Sequence, residues 1–533
     1  MLITGLRGSC LVCGDTHPTV DHGPDRSRRA FLAGAAMAPV AGAAAATLLS
    51  GSARAQDATP APQAPEGAFA LKPDWVLAWA NGDFDLVRGA TVVVRDGAIE
   101  AVTTDAVASD LTIRELPGQI LLPGFISGHT HVAGGSITRG IIEGGRSYAR
   151  PLEVAEMMSD EELDALTAYN LAELVLSGCT TQIEMALSLR QAQSYARVAQ
   201  KWGIRGYVGG MIPGVDRLFP IWFRQDDQGL TESVEGTLAE IADNLAFGRE
   251  LASGGSELVK PMMTAHATDT HTPETMAALL EAVKELGTGL HIHLSQSARE
   301  TETVKRLWGA TPTEWLRDLG FFEHPVFAAH MTGVSQPGDF EIMAAEGGVY
   351  SHCPSGGGAG GGGGMQPYPE ALAAGVKTNI GIDTHSNDYV ENMKLAVIVG
   401  RTRARLLQAA ESANPTKMPT IWAAVQGATV NPADALGRAD LGRIEAGARA
   451  DLVSIDVGGF LVGTGATPPE PLNNLLYAHG QSVRDVVIDG VYKVIDGRFI
   501  ADDAAEVARK GGETVEKLWA TLEGEGWFTP TDR

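Results

Sequence analysis

The chain has 533 residues, more than one ordinary domain needs, although barrel folds reach this size as single units. Hydrophobic residues make up 44% and charged residues 20%, a composition typical of globular proteins. The formal net charge of −24 excludes nucleic acid and anionic membranes as expected partners, because both repel an acidic surface.

The first 55 residues are typical of an export signal. A twin-arginine pattern at 27–32 (SRRAFL) precedes an alanine-rich apolar stretch at 33–49 and a small-residue cleavage site at 53–55 (ARA). The alternative is a membrane anchor, but the stretch is short and only weakly apolar. We therefore expect the twin-arginine (Tat) export machinery to deliver a cleaved, unanchored protein to the periplasm or the medium.

Short strand patterns occur on both sides of a long central region. Residues 56–66 form a Pro/Ala linker, and strand patterns with Asp-Gly turns follow in 67–121 and again in 444–500. These two pieces predict one small β-sandwich domain built from both flanks. Residues 501–533 are predicted to form a C-terminal helix and tail.

The central region, 122–443, alternates strand and helix patterns. Helical patterns, such as 160–177, 273–286 and 299–319, separate the strands. The candidate strands lie near 122–131, 179–186, 204–211, 258–266, 288–294, 326–331, 347–353 and 376–383. Eight such units predict an α/β protein with a (β/α)8 TIM barrel, in which chemistry takes place at the C-terminal ends of the strands.

Histidines cluster at these strand ends. His129 and His131 share one face of the first strand because side chains alternate along a strand. The histidines at or just past a predicted strand end are His129, His131, His266, His291, His293, His330, His352 and His385. This distribution favours a metal centre over a set of separate structural histidines.

The ordered set of motifs resembles the amidohydrolase superfamily, and within it the deaminase and chlorohydrolase-like branch. The resemblance spans nearly the whole chain after the export signal. It is carried by 123–131 (PGFISGHTH), 265–267 (AHA), 290–294 (LHIHL), 328–330 (AAH), 351–354 (SHCP), 381–383 (GID) and 447–453 (GARADLV).

This resemblance implies a metal-dependent hydrolase of a small molecule. The implied ligands of one divalent metal, zinc or iron, are His129, His131, His293, His330 and Asp383. Nitrogen and carboxylate ligands suit both metals, and such a metal lowers the pKa of a water molecule. Asp383 and His330 are the implied catalytic residues: Asp383 takes the proton of that water, and His330 holds the hydroxide and polarises the substrate.

Five further residues are expected to bind substrate: His266, Gln296, His352, His385 and Asn387. Two interpretations of His266 remain open, because it either contacts substrate or orients a metal ligand. His291 lies one layer deeper than His293 and is expected to be a buried hydrogen-bonding residue. Other branches of the superfamily carry a carbamylated lysine on the fourth strand, but Lys260 stands at the strand's start and is expected to be solvated or salt-bridged.

One departure from the family pattern bears on the reaction. The deaminase branch normally carries His-x-x-Glu after the fifth strand, whereas this chain has His293 followed by Gln296. A glutamine amide carries no proton near neutral pH, and Glu300 and Glu302 are expected to face outward. This favours hydrolysis of a C–N bond of the amide, carbamate, urea or cyclic amide type. Deamination or dechlorination of an amino- or chloro-heteroaromatic ring is the alternative.

Several loops leave alternatives open. The glycine-rich run 356–364 is a mobile lid, lets the backbone approach a substrate closely, or is a disordered connector. The segment 218–223 (LFPIWF) lines a pocket for a flat, apolar substrate, caps the barrel or forms a subunit interface. Arg139 and Arg146 bind a substrate carboxylate or are solvated. We also expect buried free thiols at Cys179 and Cys353 and a homo-oligomeric assembly. A non-enzymatic binding or metal-storage protein is disfavoured by the presence of all five implied ligands.

Overall fold

The computed structural model describes residues 64–528, apart from 66, 142–145, 147–148, 223–227, 360–364 and 459–469. The predicted export signal and most of the predicted linker lie outside the described residues. Within the described part of the chain, none of the helices combines the length and the apolar character that a membrane span requires.

The N-terminal flank forms five strands. They are β1 (Phe69–Ala80), β2 (Asp83–Arg88), β3 (Thr91–Arg95), β4 (Ala98–Thr103) and β5 (Thr112–Pro123). The predicted turn between β3 and β4 is present: Asp96 and Gly97 have φ of 51° and 76°, the left-handed backbone that a two-residue hairpin turn requires.

The central strands close into a barrel. They are β6 (Phe125–Thr130), β7 (Cys179–Ala186), β8 (Arg205–Gly210), β9 (Val259–Pro261), β10 (Met263–Ala267), β11 (Leu290–Leu294), β12 (Val326–His330), β13 (Val349–His352) and β14 (Lys377–Ile380). Parallel sheets run β6-β7-β8-β9 and β10-β11-β12-β13-β14, and only Met262 separates β9 from β10. Thr130 pairs with Asp383, so the first and last strands meet. The predicted (β/α)8 barrel is confirmed.

Helices surround these strands. They are α1 (Gly135–Thr138), α2 (Ala149–Glu156), α3 (Asp160–Leu176), α4 (Leu189–Trp202), α5 (Val215–Trp222), α6 (Gln228–Ser253), α7 (Pro273–Leu286), α8 (Ala298–Trp308), α9 (Pro312–Leu319), α10 (Gly338–Glu346), α11 (Pro354–Ala359), α12 (Tyr368–Ala373), α13 (Tyr389–Ala409), α14 (Ile421–Ala428) and α15 (Val430–Ala435). The single helix predicted over 299–319 is two. Gly309 ends α8 in the left-handed conformation, and Thr311 caps α9.

The C-terminal flank completes the first sheet. It supplies β15 (Leu452–Asp456), β16 (Val483–Ile488), β17 (Val491–Ile495) and β18 (Arg498–Phe499), followed by α16 (Ala504–Gly524), which packs on α3. One nine-stranded sheet results, with β15 pairing antiparallel to β5. Strands from the two ends of the chain therefore share a sheet, as the matching strand patterns predicted.

A buried ion pair joins the barrel to this sheet. The Arg205 guanidinium at the start of β8 donates to both carboxylate oxygens of Asp451, just before β15, at 2.8 and 3.0 Å. Only 1% of the Arg205 side chain and 4% of the Asp451 side chain are exposed. Removing one partner of such a pair leaves an uncompensated buried charge, which is far more costly than losing a pair in water.

We expect Arg205→Met to lower the free energy of unfolding by about 3–5 kcal/mol, measured by urea denaturation. Arg197→Met is the matched control, because Arg197 makes a similar two-bond pair with Asp164 on the exposed surface. The control should lose at most about 1 kcal/mol. Equal losses in the two variants would contradict a special role for the buried pair.

Candidate active site

Polar side chains from four different strands converge at the C-terminal mouth of the barrel. Nε2 of His131 lies 3.3 Å from Nε2 of His293 and 3.6 Å from Oδ1 of Asp383. Nε2 of His330 lies 3.9 Å from Oδ2 of Asp383, and the His129 ring is 4.6 Å from the His131 ring. The structure thus brings all five predicted metal ligands together, although they are spread over more than 250 positions of the chain.

The geometry of this cluster fits a divalent cation. Ligand atoms of His129, His293 and His330 lie within 4.8 Å of one another, as do those of His129, His131 and Asp383. Nε2 of His129 is buried without a hydrogen-bond partner in the protein. Buried polar atoms are normally satisfied, and imidazoles with one carboxylate form a common zinc donor set. The residues present can therefore hold such a metal.

Two of the histidines are oriented by bonds to their second nitrogen. Nδ1 of His131 donates to the Met185 carbonyl at 2.6 Å, which leaves a lone pair on Nε2. Nδ1 of His129 lies 2.8 Å from Nε2 of His291. His291 is therefore a buried hydrogen-bonding residue behind His129, as the depth of its position on β11 suggested.

Burial keeps these imidazoles neutral. It lowers the pKa of His129 and His293 well below the usual value, and that of His330 to about 4. Burial alone would raise the pKa of Asp383, but the surrounding histidines outweigh it and the net shift is downward. Neutral imidazoles beside an ionised carboxylate are the protonation states that metal ligation requires.

Glu184 at the end of β7 was not singled out from the sequence. It accepts hydrogen bonds from the Thr130 hydroxyl and, at 2.9 Å, from the Val132 backbone N–H, on either side of His131. Burial raises the pKa of Glu184 to about 8. A lone carboxyl group in an otherwise uncharged, buried strand was the signal that could have identified it.

A cleft opens onto the cluster. Of the predicted substrate-binding residues, His266, Gln296 and His385 line it, next to His131, His293 and Asp383. The other wall is apolar and consists of Leu152, Leu187, Met211, Val215, Leu218 and Phe219. The start of the segment 218–223 thus lines the pocket, while its last residue lies outside the described residues.

The other two predicted substrate-binding residues do not line this cleft. The His352 ring stacks on Tyr368, with 4.6 Å between ring centroids and 6° between planes. The Asn387 amide donates to side-chain oxygens of Glu173 at 2.9 Å and Asn170 at 3.2 Å. His352 was predicted from its strand end and Asn387 from its position past Asp383, but the partners of both side chains do not line the cleft.

Neither arginine proposed for a substrate carboxylate faces the cleft. The Arg139 guanidinium donates to the Glu173 carboxylate and, at 3.2 Å, to the His385 carbonyl, so it anchors the loop after β14. The Arg146 guanidinium lies 5.3 Å from the centroid of the Trp527 ring and donates to the Trp527 carbonyl. Both therefore serve packing contacts.

The expectation that Glu300 faces outward is wrong. Its carboxylate is buried and accepts the Gln296 backbone N–H at 2.6 Å and the Thr268 backbone N–H at 3.3 Å. Glu300 turns inward because these backbone groups need an acceptor, whereas Glu302 is exposed as expected. Glu300 does not line the cleft.

The lysine of the fourth strand, the two cysteines and the start of the glycine-rich run have defined surroundings. Lys260 pairs with Glu257 at 3.3 Å, and Cys179 and Cys353 are buried free thiols, as predicted. At the start of the glycine run, a Cβ on Gly356 would lie 2.6 Å from Oδ2 of Asp383, so the close approach requires glycine there. Residues 360–364 of the run lie outside the described residues.

Residues 120–494 match the sequence model of the amidohydrolase family. The chain belongs to the amidohydrolase family. It is accordingly a hydrolase that depends on a bound divalent metal and acts on C–N bonds other than peptide bonds.

Individual relatives agree with this placement. This amidohydrolase is 27% identical to a 5'-deoxyadenosine deaminase of Methanosarcina mazei over 85% of this chain and 98% of the relative. It is 28% identical to a 5-methylthioadenosine/S-adenosylhomocysteine deaminase of Desulfitobacterium hafniense over 75% and 86%. The fold resembles that of an adenosine deaminase from Xanthomonas campestris with bound zinc, with a TM-score of 0.68, 23% identity and coverage of 85% and 98%.

We expect His131→Ala to weaken zinc binding by this amidohydrolase at least ~100-fold, because even losing an outer hydrogen-bond partner of a ligand costs 10–100-fold. Zinc affinity of the metal-free protein, measured by competition with a chelator, tests this. His324→Gln is the control, since His324 is half-buried and lies before β12, at its N-terminal end. Unchanged affinity in His131→Ala would remove His131 from the ligand set.

Proposed function

We propose that the chain is an exported hydrolase with one zinc ion that cleaves an amide, carbamate, urea or cyclic amide bond of a small, flat and largely apolar molecule. The observation that carries this proposal is the composition of the cleft. Among the described residues that line it, Asp383 is the only carboxylate, and the neutral Gln296 lies beside His293. A reaction that needs one proton carrier suits this arrangement better than one that needs two.

The proposed ligands are His129, His131, His293 and Asp383. His330, which the resemblance also implied as a ligand, faces the same centre and is proposed to contact the reacting oxygen instead. Zinc is favoured by the histidine-rich donor set and by the zinc in the related adenosine deaminase structure, and iron is the alternative. When bound there, the metal supplies acidity to a water molecule, lowering its pKa toward neutrality.

Asp383 moves the proton in this proposal. Its carboxylate is ionised because the neighbouring histidines lower its pKa, so it can accept a proton from water. It then donates that proton to the leaving nitrogen, and the same carboxylate acts first as base and then as acid. His330 faces Asp383 across 3.9 Å and is placed to hydrogen-bond the reacting oxygen.

The apolar wall selects the substrate. Leu218 and Phe219 line the cleft together with the histidines, and neither Lys nor Arg is among the described residues that line it. We therefore propose a substrate without a carboxylate or phosphate near the scissile bond, held by apolar contacts on one face. His266 and His385 are the polar groups proposed to orient it.

A second candidate is deamination of a purine nucleoside or a similar ring. It is favoured by the relatives, which include a 5'-deoxyadenosine deaminase aligned over 98% of its length. The apolar lining residues of the cleft suit a purine ring equally well. Against it stands Gln296, because ring deamination also requires a proton at a ring nitrogen, and an amide does not deliver one near neutral pH.

Mass analysis of products separates the two candidates. We expect the zinc-loaded protein to hydrolyse members of an amide, carbamate, urea and cyclic amide panel, with no ammonia released from 5'-deoxyadenosine or 5-methylthioadenosine. Asp383→Asn should lower turnover about 10²–10⁴-fold, the usual contribution of a general acid–base group, while the circular dichroism of the fold persists. Ammonia release from the two nucleosides as the dominant reaction would select the second candidate.

Gln296→Glu tests the proton-carrier argument directly. If one carboxylate is sufficient, the variant should show no gain in hydrolysis of the best substrate from the panel. A gain on the scale of a general acid, about 10²–10⁴-fold, in deamination would mean that the wild-type site is a deaminase lacking its acid. Gln296→Met controls for loss of the amide itself.

We also propose that the chain is exported by the twin-arginine route to the periplasm or the medium, and that it assembles as a homo-oligomer. The pattern at 27–32 and the small-residue site at 53–55 support the route. Replacing Arg28 and Arg29 by lysine should retain the protein in the cytoplasm, seen by cell fractionation, whereas Arg26→Lys should not. Normal export of the double variant would reject the route, and light scattering tests the assembly.

A further inference from the structure

Gln366 is a buried glutamine that touches the cluster from behind. It follows the glycine-rich run, stands two residues before the start of α12, and is 3% exposed. Its side-chain nitrogen lies 3.1 Å from Nδ1 of His330, while its side-chain oxygen lies 2.8 Å from the Cys353 backbone nitrogen and 3.0 Å from Nδ1 of His352. The amide thus connects His330 to β13 and the residue after it.

The orientation of this amide is determined by its surroundings. A backbone N–H only donates, so the atom of Gln366 that faces Cys353 must be the oxygen. The amide nitrogen therefore faces His330 and donates to it. The opposite orientation would place the amide NH2 group against the Cys353 N–H and leave two donors in contact.

The tautomer of His330 follows from this bond. Because Nδ1 of His330 accepts from Gln366, the neutral ring carries its proton on Nε2. That atom is buried without a partner in the protein and faces Asp383 at 3.9 Å. His131 has the reverse arrangement, since its Nδ1 donates to the Met185 carbonyl and its Nε2 keeps a lone pair.

We propose that Gln366 is a positioning residue: its amide holds His330 in the Nε2–H tautomer, as a hydrogen-bond donor to the reacting oxygen and outside the metal's ligand set. This step rests on the proposed hydrolytic function. The carbonyl that accepts from Nδ1 of His131 leaves a lone pair on Nε2, so His131 can bind a metal. The amide that donates to Nδ1 of His330 leaves a proton on Nε2, so His330 can donate a hydrogen bond to the reacting oxygen.

Anchoring of Gln366 supports this role. Its backbone carbonyl accepts the Tyr368 N–H at 2.9 Å, and Tyr368 stacks on His352, the second histidine that the amide contacts. Immediately before it, the Met365 carbonyl accepts from Arg403 at 2.7 Å. A side chain held at both ends in this way presents its amide to His330 in one orientation.

Gln366→Glu is the decisive variant, because a carboxylate has the same shape but only accepts. One oxygen still accepts from Cys353 and His352, while the other accepts from His330 Nδ1, so the His330 proton moves from Nε2 to Nδ1. Gln366→Met has similar length and makes none of these bonds, so it controls for packing.

Nitrogen-15 NMR of the zinc-loaded protein with labelled histidine reports the tautomer without any substrate, with His330→Asn identifying the signals. We expect wild-type His330 to be protonated on Nε2 and the Gln366→Glu variant to be protonated on Nδ1. A wild-type proton on Nδ1 overturns the proposal, even if the variant is unstable. Because no turnover is needed, this result stands apart from whether the protein hydrolyses amides.

Kinetics and a cobalt-substituted protein add two further readouts. We expect Gln366→Glu to lower kcat about 10²–10³-fold, as loss of one oxyanion donor does, with KM nearly unchanged and a larger loss than in Gln366→Met. The visible spectrum of the cobalt form should change in Gln366→Glu, because Nε2 of His330 gains a lone pair and can bind the ion. A larger loss in Gln366→Met, with an unchanged cobalt spectrum in both, would mean that Gln366 is merely structural.

Discussion

Hydrogen bonds between the first and last strands of the barrel hold the site together. The Ile382 N–H donates to the His129 carbonyl at 2.9 Å, and the His131 N–H lies 3.4 Å from the Asp383 carbonyl. Asp383 and His330 have φ of 60° and 75°, a left-handed backbone that costs about 1–3 kcal/mol per residue outside glycine. Such strain persists only where the surrounding fold maintains it, so the metal cluster depends on closure of the whole barrel.

Burial explains why this cluster suits a metal rather than protons. Protonating any one of these imidazoles would place a positive charge in a dry interior beside other histidines, and the pKa of His266 falls to about 3 for this reason. The ligand atoms are therefore available at neutral pH, and metal uptake competes little with protonation. Because the unfolded chain has no such cluster, a bound metal stabilises the folded protein by mass action. Export in the folded state, as we propose, keeps that stabilisation during transport.

The sequence predicted the fold and much of the site because both depend on local patterns. Short apolar runs separated by amphipathic helices give the eight barrel strands, and histidines at strand ends give His129, His131, His293 and His330. Side-chain direction beyond a strand end depends on the loop. The Asn387 side chain points toward α3, where its amide contacts Asn170 and Glu173, and no local sequence pattern predicts this direction.

The roles of Glu300 and Gln366 were not predicted from the sequence, because both depend on hydrogen-bond partners from other segments of the chain. Glu300 looks like a surface residue in the first turn of α8, and it turns inward only because backbone N–H groups of two other segments need an acceptor. Gln366 follows a run of glycines without periodicity, and its importance comes from the Cys353 N–H that orients it. Residues of this kind become visible only when the hydrogen-bond partners of buried groups are accounted for one by one.

The number of proton transfers that each reaction requires favours amide hydrolysis over ring deamination at this site. Hydrolysis of an amide moves one proton from water to the leaving nitrogen, and one carboxylate can accept and return it. Ring deamination also needs a proton at the ring. Glu300, the carboxyl group four residues after Gln296, has both oxygens engaged by the Thr268 and Gln296 segments. Burial raises the pKa of Glu300, and Glu300 is not among the described groups that line the cleft. We therefore propose that Asp383 carries the proton in the hydrolytic reaction without help from Glu300.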